Sequence, residues 1–337
     1  MSAGNPPAIA PLRAGGTPQP RVSVMIPTYE PGAFLAEALR GILAQDPGQA
    51  LMQIAIVDDA SPTVDVAALV ASVAPAGRIE LHRNPRNLGL AGNWNRGIEL
   101  ARGEFVHLLH QDDLILPGFY EQLLRGFTAD ANVGMAFSRH AFVDETGKWT
   151  RRSHRERWRR GTLGRWLARI SQRQRIQCPS AVVRRTVYES VGGFRSDLTY
   201  ALDWEMWVRI AARHAVWYEP RILACYRRHR GSETSRLTSS GKIGSDLLAA
   251  IAVFATHLPE SSRGHLAGRA YERLCATQLR VGSELLALGA IDAARHQVGI
   301  ARQAWQQVPG GLGKWLRGRQ LKQLEDRCDA AGSNGPA

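Results

Sequence analysis

Short apolar runs alternate with segments of helical periodicity through the first two thirds of the chain. Each run is rich in β-branched residues, which is typical of buried strands. The predicted strands are residues 22–26, 51–57, 79–82, 104–109, 133–137, 179–183 and 215–226. Strands that alternate with helices indicate βαβ units. The pattern therefore predicts an α/β protein with a Rossmann-like, mostly parallel sheet flanked by helices.

The chain divides into regions of different composition. Residues 1–20 are rich in Pro, Gly and Ala without periodicity, which predicts a disordered lead-in. The sheet domain is predicted for residues 21–235. Within it, residues 148–177 form a basic, partly helical insert with eleven Lys or Arg, three Trp and one acid, Glu156. Residues 240–330 contain only helical signals and predict a helical C-terminal extension.

Paired carboxylates follow two of the predicted strands. Asp58 and Asp59 follow the second strand, and Asp112 and Asp113 follow the fourth strand, after His110. Open α/β sheets bind ligands at the carboxyl ends of their strands, and carboxylates with substrate phosphates suit Mg²⁺ or Mn²⁺. Each pair alone is also compatible with a solvated turn that caps the next helix. After the second pair, residues 114–116 predict such a turn before a helix that begins near Pro117.

The net charge of +13 and the pI near 10.3 indicate an anionic partner. Arginine and tryptophan interleave in the basic insert, so a nucleic-acid-binding protein is the alternative, although it leaves the carboxylates unexplained. The chain has four widely spaced cysteines, no apolar run long enough to cross a bilayer and no signal-peptide pattern. These features favour a cytoplasmic protein without zinc or disulfides.

From about Val22 to Ser235 the sequence resembles the inverting family 2 glycosyltransferases with the GT-A fold, of the bacterial polysaccharide type. The segments that carry the resemblance are Ser23–Tyr29, Ile56–Ser61, Arg86–Gly89 with Asn95 and Gly97, His110–Asp113, Gly192–Phe194, Leu202–Glu205 and Tyr226–His229. The resemblance implies transfer of a sugar from a nucleotide-diphosphate donor. The acceptor would be a hydroxyl of a glycan or a lipid-linked saccharide, in the synthesis of a bacterial cell-surface polysaccharide.

The resemblance also implies roles for individual residues. The implied nucleotide-binding residues are Pro27, Tyr29, Asp58, Asp59, Arg86, Asn87, Gly89, Asn95, Gln111 and Arg227. Asp112, Asp113 and His229 would hold Mg²⁺ or Mn²⁺ at the diphosphate, where Arg227 would stabilise the charge of the leaving group. Asp203 would be the catalytic base that takes the proton of the acceptor hydroxyl.

Two positions depart from the family pattern. His110 stands where the metal motif usually begins with Asp, so it is interpreted either as a contact to the ribose or a metal-bound water or as a structural histidine. Leu202 stands where Glu usually precedes the base, which makes Glu205 the alternative base. Gly192 and Gly193 are expected to let a backbone turn approach one of the sugars.

The basic insert is expected on the acceptor side of the site. Arginines with tryptophans suit an anionic membrane face, where a lipid-linked acceptor lies, so the protein is expected in the cytoplasm and possibly peripheral to the membrane. A soluble anionic acceptor is the alternative partner. No nucleic-acid partner is expected.

Overall fold

The computed structural model describes residues 5–12, 19–239, 241–310 and 312–333. Ten strands form one sheet with the order β3-β2-β1-β4-β9-β6-β10-β5, and β7 and β8 pair with β6 and β10 respectively. The strands are β1 Val22–Thr28, β2 Met52–Asp58, β3 Glu80–Arg83, β4 Phe105–Leu108, β5 Leu114–Ile115, β6 Val133–Val143, β7 Trp149–Arg152, β8 Gly161–Thr162, β9 Ala181–Arg184 and β10 Ala215–Arg227.

The sheet is mostly parallel, as predicted. Strands β1 to β4 are mutually parallel, and β6 and β10 run in the same direction because β9 is antiparallel to both β4 and β6. All seven residues of β1 and all seven of β2 are buried. Central parallel strands covered on both faces have this continuous burial, and it accounts for the apolar runs in the sequence.

The helices are α1 Phe34–Leu43, α2 Val66–Ala71, α3 Gly89–Leu100, α4 Phe119–Ala129, α5 Trp166–Ile170, α6 Arg185–Val191, α7 Leu202–Ala211, α8 Glu233–Ser239, α9 Ile243–Ala255, α10 Glu260–Ala287, α11 Ile291–Gln307 and α12 Leu312–Ser333. In α1 the buried residues Leu35, Ala38, Leu39 and Ile42 recur at helical spacing and belong to the main core cluster. The observed α/β fold with a helical C-terminal segment confirms the predicted fold class.

The chain separates into two compact units. The first contains the sheet and ends at Arg230, but it lacks residues 167–174. The second contains residues 167–174 and the helical region from Gly231 onward. No helix in the described part of the chain is long and apolar enough to span a membrane.

Two predictions of local structure were wrong. Residues 114–116 do not form only a turn, because Leu114 and Ile115 pair with β10 as β5. The lead-in is not wholly disordered, because residues 5–12 lie on the first unit. There Ile9 is 3% exposed and the carbonyl oxygen of Pro7 accepts a hydrogen bond from Gly193 N–H at 2.8 Å. This packing was not predictable from the sequence, because a single buried isoleucine among prolines gives no periodic pattern. Residues 1–4 and 13–18 lie outside the described part.

Candidate active site

The predicted site residues meet at one edge of the sheet. Thr28 pairs with Asp58 where β1 and β2 end, and β4, on the other side of β1, ends just before His110. The carboxyl ends of three neighbouring parallel strands therefore bring together the segments that begin at Tyr29, Asp59 and His110. This edge is where open α/β sheets bind ligands.

His110, Asp112 and Asp113 form a group that could hold a metal ion, since one ligand atom from each lies within 4.8 Å of the others. Asp113 is fully buried, and its Oδ2 atom lies 3.4 Å from Nδ1 of His110. Within the described residues, Asp113 Oδ2 and His110 Nε2 are both buried without a hydrogen-bond partner. Burial, and after it the adjacent Asp112 charge, raise the pKa of the Asp113 carboxyl to about 6 against the lowering effects of His110 and Arg227.

These residues fit a divalent cation. A buried carboxylate oxygen without a partner is costly, and a cation removes that cost. Two carboxylates and one imidazole are an acceptable donor set for Mn²⁺, whereas Mg²⁺ prefers oxygen alone. His110 is held in place by stacking on Trp94, with ring centroids 4.7 Å apart. His110 is therefore placed where its imidazole could add a nitrogen donor to the two aspartates.

His229 lies beside this group but is not one of its three members. Its Nε2 atom donates to Asp112 Oδ2 at 2.9 Å, and this hydrogen bond raises the pKa of His229. Its ring packs on Phe34 with centroids 5.1 Å apart. The observed role of His229 is thus to orient Asp112, and direct ligation of a metal stays a prediction.

Arg227 is buried and bonded within the chain, and its contact with the diphosphate stays a prediction. The residue is 1% exposed, and its guanidinium donates to the carbonyl oxygen of Asp112 at 2.9 Å and to that of Glu145 at 3.1 Å. It also forms an ion pair with Glu37 at 2.6 Å, and its backbone N–H donates to Asp113 Oδ1 at 2.8 Å. Arg227 therefore fixes the backbone of one aspartate and the side chain of the other.

Asp58 and Asp59 are both buried and bonded within the chain. Asp58 accepts from Ser61 N–H at 3.0 Å and from Ser61 Oγ at 2.6 Å, and it pairs with Arg83 at 2.5 Å. Asp59 accepts from the backbone N–H groups of Leu88 at 2.8 Å and Gly89 at 3.0 Å. These bonds hold the Arg86–Gly89 loop on the end of β2. Arg83, half exposed beside Asp58, is a residue that the sequence analysis missed.

The other implied nucleotide residues occupy the rim of the same edge. Pro27 is buried in β1, and the side-chain amide of Gln111 pairs with both backbone groups of Tyr29, at 2.9 Å and 3.1 Å. The Tyr29 side chain is 45% exposed, and Arg86 and Asn87 are exposed on their loop. An exposed phenol ring and an exposed guanidinium beside the strand ends can contact a base and a phosphate.

The side chain of Asn95, which was predicted to bind the nucleotide, forms hydrogen bonds with the backbone of Phe194. Its amide donates to the carbonyl oxygen of Phe194 at 2.8 Å and accepts from Phe194 N–H at 2.7 Å. A Cβ atom at Gly193 would lie 2.4 Å from the Asn95 oxygen, so only glycine fits there. Asn95 and Gly193 thus join α3 to the turn that precedes α7, and nucleotide contact by Asn95 stays a prediction.

Glu205 cannot serve as the alternative base. It is fully buried and forms a two-bond ion pair with Arg209, at 2.9 Å and 2.7 Å. The same guanidinium donates to the carbonyl oxygens of Val191 at 2.6 Å and Gly193 at 3.0 Å. A carboxylate held by a buried guanidinium has no path to an acceptor hydroxyl, so this pair is a structural support for the turn.

Asp203 lies in the first turn of α7 and is half-buried. Burial raises the pKa of the nearby Cys178 thiol. His110 lowers this pKa, whereas the charges of Asp203 and Asp113 raise it further. Asp203, His110 and Asp113 therefore all lie close enough to one buried thiol to influence its charge. Burial raises the pKa of Tyr200, Asp203 raises this pKa further, and the exposed Arg228 lowers it. The sequence patterns did not predict that three further residues lie near this site, namely Cys178, Tyr200 and Arg228.

Comparison with known proteins agrees with this geometry. The chain is 34% identical over 233 residues to the uncharacterized protein MT1568 of Mycobacterium tuberculosis, which covers 66% of this chain and 72% of that protein. It is 30% identical over 132 residues to the succinoglycan biosynthesis protein ExoO of Rhizobium meliloti, covering 39% of this chain and 35% of that protein.

The fold is similar to that of S. aureus TarS residues 1–349, solved in complex with UDP-GlcNAc. The TM-score is 0.64 at 16% identity, covering 93% of this chain and 92% of that one. Residues 23–192 match the model of glycosyl transferase family 2 and include the β1, β2 and β4 ends with the His110–Asp113 group. The chain therefore belongs to glycosyl transferase family 2 and is a glycosyltransferase.

Proposed function

We propose that the protein is an inverting glycosyltransferase that moves a sugar from a nucleotide-diphosphate donor to a hydroxyl of a glycan or lipid-linked saccharide. The observation that carries the proposal is the His110, Asp112 and Asp113 group at the carboxyl ends of the parallel strands. A nucleotide sugar carries a diphosphate whose negative charge increases as the sugar leaves. Carboxylates that lie close together at the strand ends need a cation to balance their charge. The phosphates of the donor would bind the same cation.

The donor is proposed to lie across the ends of β1 and β2. Tyr29 and Arg86 would contact the base and the phosphates, while Asp58 and Asp59 hold the surrounding loops and present their remaining lone pairs. Mg²⁺ or Mn²⁺ bound by Asp112, Asp113 and His110 would neutralise charge on the leaving diphosphate. The exposed Arg228 is proposed as the cation that contacts the diphosphate in place of Arg227, because the Arg227 guanidinium is buried and bonded within the chain.

Asp203 is the proposed base. It would accept the proton of the acceptor hydroxyl on the face opposite the diphosphate, which is the arrangement that inverts the anomeric carbon. With Glu205 committed to Arg209, Asp203 is the remaining acid in the first turn of α7. Asn95, Arg209 and Pro7 hold the turn before it and so fix where α7 begins.

The acceptor is proposed to belong to a bacterial cell-surface polysaccharide, in keeping with the similarity to the succinoglycan biosynthesis protein ExoO. A basic strip, residues 148–160, would dock the enzyme at the cytoplasmic face of an anionic membrane. Trp158 is 81% exposed, and Arg155 stacks on it at 4.0 Å. The one acid of the strip, Glu156, is neutralised by Arg175 at 2.8 Å. Each exposed cation near anionic lipid contributes about 1 kcal/mol.

A nucleotide-sugar screen tests the function directly. The purified protein is incubated with a panel of UDP-, GDP- and TDP-sugars with and without Mn²⁺, and release of the nucleoside diphosphate is measured. We expect slow hydrolysis of one donor that depends on Asp112 and is unchanged in Asp292→Asn, whose side chain is fully exposed in the helical unit. Failure of every donor to shift the melting temperature would reject the proposal.

A further inference from the structure

The second unit contains two clefts, one on each side of the first half of α12. The first cleft has a volume of about 630 Å³ and is lined by Trp305, Trp315, Lys314, Arg319 and Lys322, with Gly318 at its base. The second has a volume of about 410 Å³ and is lined by four arginines together with one carboxylate, Glu272. Both volumes lie in the range of ligand pockets, which is roughly 300–1,000 Å³. Neither cleft has a part in the transfer chemistry proposed above.

The first cleft combines exposed indole surface with positive charge, of which Lys322 is paired with Asp326 at 2.7 Å. Trp315 is 55% exposed, with Arg319 over its ring at 5.0 Å, and Lys314 lies 5.3 Å from the Trp305 ring. The indole N–H of Trp305 is already used, because it donates to the carbonyl oxygen of Lys314 at 2.9 Å. Its ring packs on Gly318, where a Cβ atom would lie 3.2 Å from the ring. The Trp305 indole is thus fixed as a flat apolar surface, and Trp315 adds a second, more exposed ring.

The second cleft is a concentration of arginines from two helices. Arg269, Arg273 and Arg280 project from α10, and Arg317 comes from α12, one residue before Gly318 of the first cleft. Arg280 is paired with Glu284 at 2.7 Å. Across the described ranges, Arg269, Arg273 and Arg317 have no carboxylate within ion-pair distance. Guanidinium groups left unpaired around a concave surface are suited to a phosphate or carboxylate ligand.

We propose that this unit binds an anionic glycan chain along α12. The apolar face of a sugar ring stacks on Trp315, and phosphate or carboxylate groups of neighbouring residues pair with Arg319, Lys314 and the arginines of the second cleft. This inference rests on the proposed function in one respect, that the acceptor is a glycan. It assigns to the helical unit the recognition of that chain away from the transferred sugar.

The shape of the first cleft favours a glycan over a membrane. Tryptophans that anchor a protein in a bilayer project outward to headgroup depth, whereas Trp305 and Trp315 line a concavity. The charge favours an anionic glycan over a neutral one. Residues 314–322 contain Lys314, Arg317, Arg319 and Lys322 without any acid, and the acids of α12 begin at Glu325.

Calorimetric titration of the full chain with mannopentaose phosphate tests the inference. We expect binding that weakens about tenfold or more in Trp315→Ala and Arg319→Ala, because each removes a central contact. Trp158→Ala, which removes a more exposed indole from the basic strip, is the control and should bind within about twofold of the parent. Removing the phosphate enzymatically should weaken binding by a similar factor. Tetragalacturonate in parallel identifies carboxylate as a second acceptable anion if it binds with the same sensitivity to the variants.

Several results would overturn the inference. These are no binding of either anionic probe at millimolar concentration, equal binding of the dephosphorylated sugar, or no effect of Trp315→Ala. Binding to anionic vesicles that Trp315→Ala abolishes, without binding to any oligosaccharide, would assign the cleft to a membrane instead. The melting-temperature shift with UDP and Mn²⁺ is measured on every variant. It should persist in Trp315→Ala, so loss of glycan binding is distinguishable from failure of the proposed donor site.

Discussion

The guanidinium of Arg227 donates to the main-chain carbonyl oxygen of Asp112 at 2.9 Å, and the backbone N–H of Arg227 donates to the side chain of Asp113 at 2.8 Å. The end of β10 is thereby connected to the backbone of Asp112 and to the carboxylate of Asp113. Arg227 is a positioning residue that acts through these aspartates, and its charge is balanced by Glu37 at 2.6 Å.

Replacing Arg227 with Met should therefore weaken both the fold and the metal site. Loss of the guanidinium leaves the buried carbonyl oxygen of Asp112 without its donor, which costs about 1–3 kcal/mol for each such group. We expect a lower free energy of unfolding in urea and at least tenfold weaker Mn²⁺ binding by calorimetry. Arg221→Met is the matched control, since Arg221 is 52% exposed and pairs with Glu219 away from the metal group. Normal Mn²⁺ affinity in Arg227→Met would contradict the positioning role.

Replacement of the two acids of α7 should give opposite results. Asp203→Asn should lower turnover by about 10²–10⁴-fold, the usual contribution of a general base, while the melting temperature and UDP binding stay near those of the parent. Glu205→Gln should lower the melting temperature, because it leaves the Arg209 guanidinium buried without its partner at a cost of about 3–5 kcal/mol. Turnover rates and melting curves of both variants test the pair. A stable, inactive Glu205→Gln beside an active Asp203→Asn would reverse the assignment.

The sequence was sufficient to predict contacts that follow from strand order. His110, Asp112 and Asp113 come together with Tyr29 and Asp58 because parallel strands end at one edge. Contacts made by residues distant in the chain were not predictable in this way. The burial of Arg227 depends on Glu37, 190 positions away, and the packing of Ile9 depends on the turn at Gly193.

Some local signals were available and were not used. Glu205 and Arg209 are four positions apart on one helix, the spacing of an ion pair, and their position between apolar residues of α7 indicated a buried pair. The position of Arg83 at the end of β3 similarly placed a cation at the same sheet edge as Asp58. An arginine at the end of a strand indicates a binding site for an anion or a carboxylate, just as the paired aspartates indicate a cation site.

His110 should influence which metal the enzyme prefers. A nitrogen donor favours later first-row cations, whereas a third carboxylate favours Mg²⁺. We expect the parent protein to bind Mn²⁺ or Co²⁺ more tightly than Mg²⁺, and His110→Asp to reduce that preference by about tenfold. Calorimetric titrations with each metal give the ratio, and His154→Asp serves as the control because His154 is exposed in the basic strip. An unchanged ratio in His110→Asp would place His110 outside the coordination shell.

His107 should make the stability of the fold depend on pH. This residue is buried in β4 between the Tyr120 hydroxyl at 3.1 Å and the carbonyl oxygen of Pro179 at 3.0 Å. Burial lowers its pKa to about 3, while the Pro179 contact opposes the shift and His110 adds to it. In the unfolded chain the His107 imidazole is protonated below about pH 6.5, whereas in the folded chain it is protonated only below about pH 3. The folded state therefore loses stability as the pH falls below about 6.5.

The loss between pH 7 and pH 5 is on the order of 2 kcal/mol, from about 1.4 kcal/mol for each pH unit below the unfolded pKa. Urea unfolding of the parent and of His107→Gln at the two pH values measures it. The glutamine amide can bond Tyr120 and Pro179 but does not titrate, so the difference between pH 7 and pH 5 should shrink by about that amount. His154→Gln controls for loss of an exposed imidazole. If both variants keep the parent's full pH dependence, the proton that destabilises the fold binds elsewhere than His107.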